Sequence, residues 1–276
     1  MDLSGYKRLD LKELQALQLD AIKIIHSVCV KHRIDYYMIG GTLLGSIRHG
    51  GYIPWDDDID IAMTRVNYER FKMVFPNEKD FNEKLFLQHY MSDSDFGLAL
   101  MRVCLKGTFI DWPAQNHLNN CKNTYIDIFP LDNVPSDESL QKRQASAMKI
   151  LNYICNLKLY GVRTASSTPV LIAKRSCHLL LKLVPIRFLV NLKLHVMTKY
   201  DNCDCEYLCS MQSHYSYFKQ RMKKEIYGKP ILLKFEDTEL YGPALYKDYL
   251  SQLFGDYMKL PPVDKQPRPL DAYIKR

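Results

Sequence analysis

Four aspartates crowd into five positions of one short stretch, GGTLLGSIRHGGYIPWDDDIDI at 40–61, whose end alternates aspartate with isoleucine. In a β-strand, side chains two positions apart share a face. Asp58 and Asp60 are therefore expected to point the same way, while Ile59 and Ile61 enter the core and fix the register. Packing carboxylates this closely costs electrostatic repulsion unless cations are present. The pattern predicts a strand that carries a hard-cation site suited to Mg²⁺ or Mn²⁺.

A glycine pair upstream of these acids marks a predicted turn from strand to helix. Residues 36–39 form a short apolar run, the glycines follow, and a helix is predicted over 42–49. Backbone N–H groups at such a helix start, together with the helix dipole, favour a phosphate group, and glycine lets that group approach closely. We expect the threonine hydroxyl to donate to a phosphate oxygen and a basic pair to add positive charge. The predicted phosphate-binding residues are Gly40, Gly41, Thr42, Arg48 and His49.

A third carboxylate is predicted from a second strand at 125–129. Asp127 lies in the middle of this run between two isoleucines, where a lone carboxylate is costly to bury without a partner. We expect it to join Asp58 and Asp60 as a metal ligand; the alternative is that it forms a local cap or pair. Asp132 is expected to lie in a turn or to support the ligands from behind.

The remaining pattern interleaves helices with strands, which places the chain in the α/β or α+β class. Apolar residues recur every three or four positions over 10–32, and Asp10 with Glu13 forms a capping-box pattern at the start of this predicted helix. Arg102, on a predicted strand, is a second-rank phosphate ligand or else a solvated surface arginine. Further expectations are a strand end at Pro130, a helix from a cap at Ser136 to Tyr160, and a helix over 215–226.

The charge of the chain is unevenly distributed. Residues 139–200 contain 11 of the 38 lysines and arginines and none of the 31 acidic residues. We expect a catalytic core at 1–138, a basic helical segment at 139–205 and a C-terminal part at 206–276 that packs on the core. The basic segment is either a set of amphipathic helices with solvated charges or a contact surface for an anionic membrane. Nucleic acid is not expected as a partner, because aliphatic residues rather than paired aromatics separate the basic ones.

The cysteines and the ends of the chain bear on its compartment. The N-terminus has no apolar stretch typical of a signal peptide, and no window reaches the roughly 18 apolar residues of a spanning helix. Eight cysteines without a secretion signal are typical of reduced thiols, so we expect a cytoplasmic protein, either free or peripheral at the inner face of the membrane. Cys203, Cys205 and Cys209, with His214 nearby, do not have the spacing of common zinc sites, and free thiols are favoured.

Three segments resemble the LicD family of phosphotransferases, to which the fukutin-related proteins are also similar. They are CVKHRIDYYMIGGTLLGSIRHGGYIPWDDDIDIAM at 29–63, YIDIFPLDNVP at 125–135 and FEDTELYGPALYKDYLSQLFGDYMKLPP at 235–262. The resemblance implies a nucleotidyltransferase-like core with a mixed sheet, flanking helices and a helical insertion. It also implies transfer of a substituted phosphate, typically phosphocholine from CDP-choline, to a hydroxyl of a cell-surface glycan or its lipid-linked precursor.

Carried over onto this sequence, the family pattern assigns Mg²⁺ or Mn²⁺ binding to Asp58, Asp60 and Asp127. Together with Asp56, these are the predicted catalytic acids. Either Asp127 or Asp56 would take the proton of the attacking hydroxyl, and the sequence does not decide between them.

Other functions and roles stay open at this point. The alternatives are transfer of ribitol or glycerol phosphate from another CDP-linked donor, NMP transfer from an NTP to a small molecule, nucleic-acid binding, and a scaffold without activity. Trp55 either stacks on a base or fills the core. Glu236 and Asp256 are expected to anchor the C-terminal helix to the core.

Overall fold

The computed structural model describes residues 4–112, 115, 117, 118, 120–162, 166–262, 264, 266 and 268–276. Helices and strands alternate along the chain, which confirms the α+β class. The strands are β1 (Tyr6–Arg8), β2 (Tyr37–Met38), β3 (Asp60–Thr64), β4 (Leu85–Gln88), β5 (Met101–Leu105), β6 (Thr108–Asp111), β7 (Tyr125–Val134), β8 (Tyr207–Cys209), β9 (Arg221–Lys223), β10 (Ile231–Phe235), β11 (Thr238–Gly242) and β12 (Asp271–Lys275). The α-helices are α1 (Leu11–His32), α2 (Gly40–His49), α3 (Arg65–Val74), α4 (Lys79–Lys84), α5 (Glu138–Tyr160), α6 (Thr168–Leu181), α7 (Ile186–Thr198), α8 (Tyr217–Gln220), α9 (Lys224–Tyr227) and α10 (Tyr246–Phe254).

A mixed sheet with the strand order β2-β3-β7-β5-β4 forms the centre of the fold, and β8 and β9 continue it from the end of β7. Strands β3 and β7 run parallel, whereas β5 is antiparallel to β7. One apolar cluster joins this sheet to α1, α2, α3 and α10. Because β3 and β7 are parallel neighbours, residues at equivalent positions near their starts lie side by side.

Helix α1 forms as the sequence predicts. The Asp10 carboxylate accepts a hydrogen bond from Glu13 N at 2.8 Å, and the Glu13 carboxylate accepts one from Asp10 N at 3.0 Å, which completes the capping box. The helix ends at His32, and the next residue, Arg33, caps it with a left-handed φ of 53°. Its buried residues recur at helical spacing and are Leu14, Gln18, Ala21, Ile22, Ile25, Val28 and Cys29.

Strand β7 continues through Pro130, so the predicted strand end at this residue is wrong. On one edge, β5 pairs with β7 up to Ile128, and β8 pairs with it from Asp132 onward. Pro130 therefore lies between the two paired stretches of that edge, while on the other edge it stands opposite Met63. Proline lacks an N–H group and is tolerated at such a break in the hydrogen-bond ladder.

Two further local predictions are corrected. Helix α5 is capped by Asp137, not Ser136: the Asp137 carboxylate accepts a hydrogen bond from Leu140 N at 2.9 Å. The single helix predicted over 215–226 is instead α8, β9 and α9, because the middle of the segment pairs with β8. Strand β11 and the sheet β1-β12-β6 were not predicted, since their short runs lack clear period-two alternation.

Helices α5 and α7 pack together and enclose a second apolar cluster, which includes Val134 of β7 and Cys209 of β8. Helix α6 buries none of its residues. Within the described ranges, no helix combines the length and the apolar character that crossing a membrane requires. The division into units at 1–138, 139–205 and 206–276 stays a prediction, although 206–276 supplies β8 and β9 to the central sheet.

In the cysteine-rich stretch, Cys205 and Cys209 each contact a different backbone carbonyl group. Cys205 Sγ lies 4.0 Å from Tyr200 O, whereas Cys209 Sγ lies 3.5 Å from Tyr217 O. Cys203 is exposed, and all three cysteines are free thiols.

Lys193 of α7 is a cation enclosed by the second apolar cluster. Its side chain is almost fully buried, and Nζ donates a hydrogen bond to Gly97 O at 2.9 Å. Burial lowers the pKa of Lys193 to about 8, and a weaker interaction with Cys155 opposes the shift.

We expect the stability of the protein to rise with pH above this value. Between pH 8 and the ordinary lysine pKa of about 10.4, the unfolded chain holds a proton that the folded chain has released, so the free energy of unfolding increases with pH. In Lys193→Met this contribution is absent. Urea unfolding should therefore show that the free energy of unfolding of the variant exceeds that of the wild type by more at pH 7 than at pH 10. The same difference at both pH values would show that Lys193 does not lose its charge on folding in this range.

Candidate active site

The predicted acids meet where β3 and β7 begin, beside the first turn of α2. Asp56, Asp58 and Asp60 line a cleft of 650 Å³ together with Gly41. A cleft of this volume lies within the range of about 300–1,000 Å³ that is usual for small-molecule and cofactor sites. Much of the remaining lining comes from 214–262, so the C-terminal part of the chain completes the cleft.

Strand register places two acids and an arginine in one row across the sheet. Asp60 pairs with Asp127 in the parallel ladder, and Asp127 pairs with Arg102 in the antiparallel one. Arg102 Nε donates to Asp127 Oδ1 at 2.7 Å, and the guanidinium lies 3.7 Å from the ring centroid of Tyr125. Arg102 is buried and is therefore not a solvated surface arginine; its guanidinium holds the Asp127 carboxylate. Its predicted contact with phosphate stays a prediction.

Thr42 positions Asp60 through the backbone. The Thr42 hydroxyl is buried and accepts a hydrogen bond from Asp60 N at 2.8 Å. Ile39 N in turn donates to Asp60 O at 3.2 Å, so the start of α2 and the start of β3 are bonded to each other. A hydroxyl can accept one hydrogen bond and donate another, so the predicted donation from Thr42 to a phosphate oxygen stays a prediction.

The two glycines meet different constraints: a carboxylate approaches Gly41 closely, whereas Gly40 has a positive φ. A Cβ atom on Gly41 would lie 2.6 Å from Asp56 Oδ2, a distance that real Cβ contacts do not show. Gly40 has a φ of +54°, and a Cβ there would lie 3.7 Å from Asp60 Oδ2. The first turn of α2 is thus packed against the acids, and its positive dipole end faces negative charge.

The acids raise one another's pKa. Burial raises the pKa of Asp60 well above its usual range, and the charges of Asp58, Asp127 and Asp56 raise it further, while Arg102 opposes them. Burial is also the largest cause of the raised pKa values of Asp58 and Asp56, and their acidic neighbours add to it. Ionising all of these carboxyl groups together is therefore unfavourable without a positive charge, and a bound divalent cation would supply that charge.

Carboxylate spacing also fits a metal ion. Among the described residues, Asp56, Asp57 and Asp58 have one carboxylate oxygen each within 4.8 Å of the others. Strand β3 begins at Asp60, so Asp58 lies just before the strand, but the two side chains line the same cleft, as the alternating pattern predicts. The predicted metal ligands Asp58, Asp60 and Asp127 stay a prediction, and the structure adds Asp57, which sequence reasoning missed although it lies in the same acidic run. An all-carboxylate set suits Mg²⁺ or Mn²⁺.

Side chains of α1 hold the backbone of the acidic loop. Gln15 Nε2 donates to Asp56 O at 2.8 Å, and Gln18 Nε2 donates to Asp57 O at 2.9 Å. The Asp57 carboxylate accepts a hydrogen bond from Leu270 N at 2.6 Å. The two glutamines were not predicted, because two polar residues near the apolar face of a helix carry no signal of what they contact.

Glu236 links the β10–β11 turn to the same loop. Its Oε1 accepts a hydrogen bond from Tyr52 N at 2.9 Å, and its N–H donates to Gly50 O at 2.8 Å. Glu236 has a left-handed φ of 54°, and a Cβ on Gly51 would collide with its carboxylate at 2.0 Å. The anchoring role predicted for Glu236 is thus observed, but it anchors the acidic loop and not the C-terminal helix.

Arg48 and His49, the predicted basic pair, lie in different environments. Arg48 lines the cleft and donates from a terminal nitrogen to Tyr257 O at 3.0 Å. His49 does not belong to the described lining; its ring meets Trp55 edge-on at 6.3 Å between centroids. Burial lowers the pKa of His49, and the charge of Arg48 lowers it further, so the ring favours its neutral form.

Aromatic side chains form much of the apolar lining of the cleft. Tyr215 and Phe254 have ring centroids 6.0 Å apart at an interplanar angle of 87°, and Trp55 and Tyr257 line the same cleft. These side chains are partly buried against the main apolar cluster. Trp55 therefore both packs on the core and faces the cleft, whereas Tyr215 and Phe254 were missed because nothing local in the sequence brings them to the acids.

We expect Thr42→Val to weaken both folding and the site. Valine matches the shape of threonine but leaves Asp60 N without its acceptor, which should lower the free energy of unfolding by about 1–3 kcal/mol. Thr42→Ser keeps the hydroxyl and is the matched control. Urea unfolding of the two variants checks this; equal stabilities would show that the hydrogen bond does not position Asp60.

Comparison with known proteins agrees with this geometry. The domain family described as LicD/FKTN/FKRP, nucleotidyltransferase domain, matches residues 33–150. The chain is 30% identical over 278 aligned residues to the lipopolysaccharide cholinephosphotransferase LicD of Haemophilus influenzae, covering 97% of this chain and 99% of that protein. Uncharacterized proteins of Rickettsia typhi and Rickettsia prowazekii are each 36% identical, over 29% and 27% of this chain and 26% and 25% of their own lengths. Because the Haemophilus influenzae relative aligns with 97% of this chain at 30% identity, this protein belongs to the LicD family and is a transferase of the LicD type.

Proposed function

We propose that this protein transfers phosphocholine from CDP-choline to a hydroxyl of a lipopolysaccharide or a similar glycan, with Mg²⁺ or Mn²⁺ as cofactor. The relative from Haemophilus influenzae is a lipopolysaccharide cholinephosphotransferase by name, which supports the group transferred and the kind of acceptor. The CDP linkage of the donor and the need for a metal are our own proposals, supported by the chemistry of the cleft.

The observation that carries the proposal is the register pair of Asp60 and Asp127 beside the acidic loop. Two neighbouring strands and one loop supply carboxyl groups to one place, and a purely structural role would not require so many mutually repelling acids. Phosphoryl transfer depends on cations that neutralise the phosphate, and a diphosphate-linked donor is a substrate that such a site can bind.

Named residues would divide the work as follows. Asp58, Asp60 and Asp127 would hold the Mg²⁺ or Mn²⁺ ion, which supplies charge neutralisation at the donor phosphates. Backbone N–H groups of Gly40 and Gly41 at the start of α2 would receive a phosphate oxygen. Arg48 lines the cleft and would stabilise the departing CMP. His49 and Arg102 do not belong to the described lining; His49 would act through its contact with Trp55, and Arg102 through its hydrogen bond to Asp127.

Asp56 is the better placed of the two candidate bases. It lines the cleft, whereas the Asp127 carboxylate is bonded to Arg102 and does not belong to the described lining. Burial raises the pKa of Asp56, which makes its carboxylate a stronger proton acceptor. We infer that Asp56 takes the proton of the attacking hydroxyl.

The aromatic lining favours a choline head group over ribitol or glycerol. A quaternary ammonium is attracted to the faces of aromatic rings, whereas a neutral polyol is not. The ring of Tyr215 already attracts one ammonium, since Lys219 Nζ lies 4.9 Å from its centroid. The carboxylates of the same cleft add negative charge that a cationic head group complements.

We expect Asp60→Asn to be inactive and yet more stable than the wild type without metal. Removing one of several repelling charges relieves the apo protein, while loss of a metal ligand should reduce CDP-choline turnover by at least about 100-fold. Thermal unfolding without metal checks the stability, and added Mg²⁺ should raise the Tm of the wild type more than that of the variant; a CDP-choline turnover assay checks the activity. Near wild-type turnover in Asp60→Asn would rule out the proposed site.

Tyr215→Leu should change the choice of donor. Loss of the ring face should lower kcat/KM for CDP-choline by roughly tenfold while affecting CDP-ethanolamine less, because the primary ammonium relies more on hydrogen bonds than on ring contact. Tyr215→Phe keeps the ring and is the control. An equal loss with both donors would show that the ring contacts the nucleotide and not the head group.

A further inference from the structure

Helix α6 exposes an apolar surface that the rest of the described chain does not cover. None of its residues is buried, although its sequence TPVLIAKRSCHLLL is rich in aliphatic residues. Ile172, Leu179 and Leu180 are 61%, 61% and 67% exposed, and Leu183 in the turn that follows is 83% exposed. At 3.6 residues per turn these four side chains fall on one side of the helix. We call these four residues the apolar stripe.

Basic side chains lie near the apolar stripe. Arg175, Lys182 and Arg187 are exposed along α6, in the turn and at the start of α7. No aspartate or glutamate occurs anywhere in 139–200, so no acidic residue of this segment offsets their charge. Apolar side chains bordered by lysine and arginine are the pattern of helices that lie in the interface of an anionic membrane.

The charge and the aliphatic character of this surface favour one kind of binding partner. A second copy of the chain would bring the same positive segment against itself, and like charges disfavour that contact. Single-stranded nucleic acid is bound by aromatic side chains that stack on bases, whereas the apolar stripe is aliphatic. An anionic lipid surface satisfies both parts at once: the apolar side chains enter the acyl boundary and the basic ones meet the headgroups.

We propose that the apolar stripe and its flanking basic residues dock this protein peripherally on an anionic membrane. The surface belongs to the helical segment and not to the cleft, so docking is independent of the transfer reaction. It would hold the enzyme at the surface where a lipid-linked acceptor resides.

Flotation of the full-length protein with vesicles tests this inference. We expect recovery with vesicles of phosphatidylglycerol and phosphatidylcholine, little recovery with phosphatidylcholine alone, and loss of binding in high salt. The variant Leu179→Gln/Leu180→Gln/Leu183→Gln should reduce recovery at least tenfold, and Arg175→Gln/Lys182→Gln should reduce it only on anionic vesicles. Met73→Gln/Leu232→Gln is the matched control, since these side chains are also exposed, at 65% and 51%, but lie elsewhere.

Two results would overturn the proposal. One is absence of wild-type protein from the floated anionic vesicles; the other is equal recovery of the leucine variant and the control. If the leucine variant instead converted a dimer into a monomer in sedimentation experiments without changing flotation, a second copy would be the occupant. Flotation needs no donor or acceptor, so its failure is separate from failure of the proposed phosphocholine transfer.

Discussion

The repulsion among carboxylates in one cleft is the constraint on which the rest of this structure depends. The acids raise one another's pKa, and burial adds to the cost of their charge. Holding them together therefore requires supports that reach the site from distant parts of the chain. Arg102 holds Asp127, Thr42 holds the backbone of Asp60, and Gln15 holds the loop before the strand. The fold thus positions groups that would separate if left unsupported.

Sequence patterns predicted the parts of the site that local chemistry determines. Aspartate and isoleucine alternate around Asp60, the isoleucines are buried as expected, and Asp127 lies beside Asp60 because both belong to parallel strands. Other parts depend on contacts between residues far apart in the chain. Tyr215 carries no local signal of its place in the cleft, and Glu236 carries none of its contact with the acidic loop. Pro130 does not end β7, because one edge of this strand changes its partner there from β5 to β8.

The acids of the cleft and the basic residues of 139–200 lie in different parts of the protein and act differently. The acids of the cleft are mostly half-buried around one small site, whereas most of the basic residues of 139–200 are exposed, Lys193 excepted. A buried charge acts over short distances on a bound ligand, while exposed charge acts collectively and is screened by salt. This division explains why the net charge of +7 describes neither region of the protein.

The contact between Glu236 and Tyr52 joins residues 184 positions apart, whereas the Gln15 contact with the acidic loop spans 41. During synthesis, a ribosome releases the acids and their α1 support long before Glu236, and Leu270, which donates to Asp57, follows later still. N-terminal elements fold first on a growing chain, and contacts of long sequence separation form late. The acidic loop is therefore assembled in two stages, and a nascent chain shorter than 236 residues lacks the geometry that the finished enzyme uses to hold its charges together.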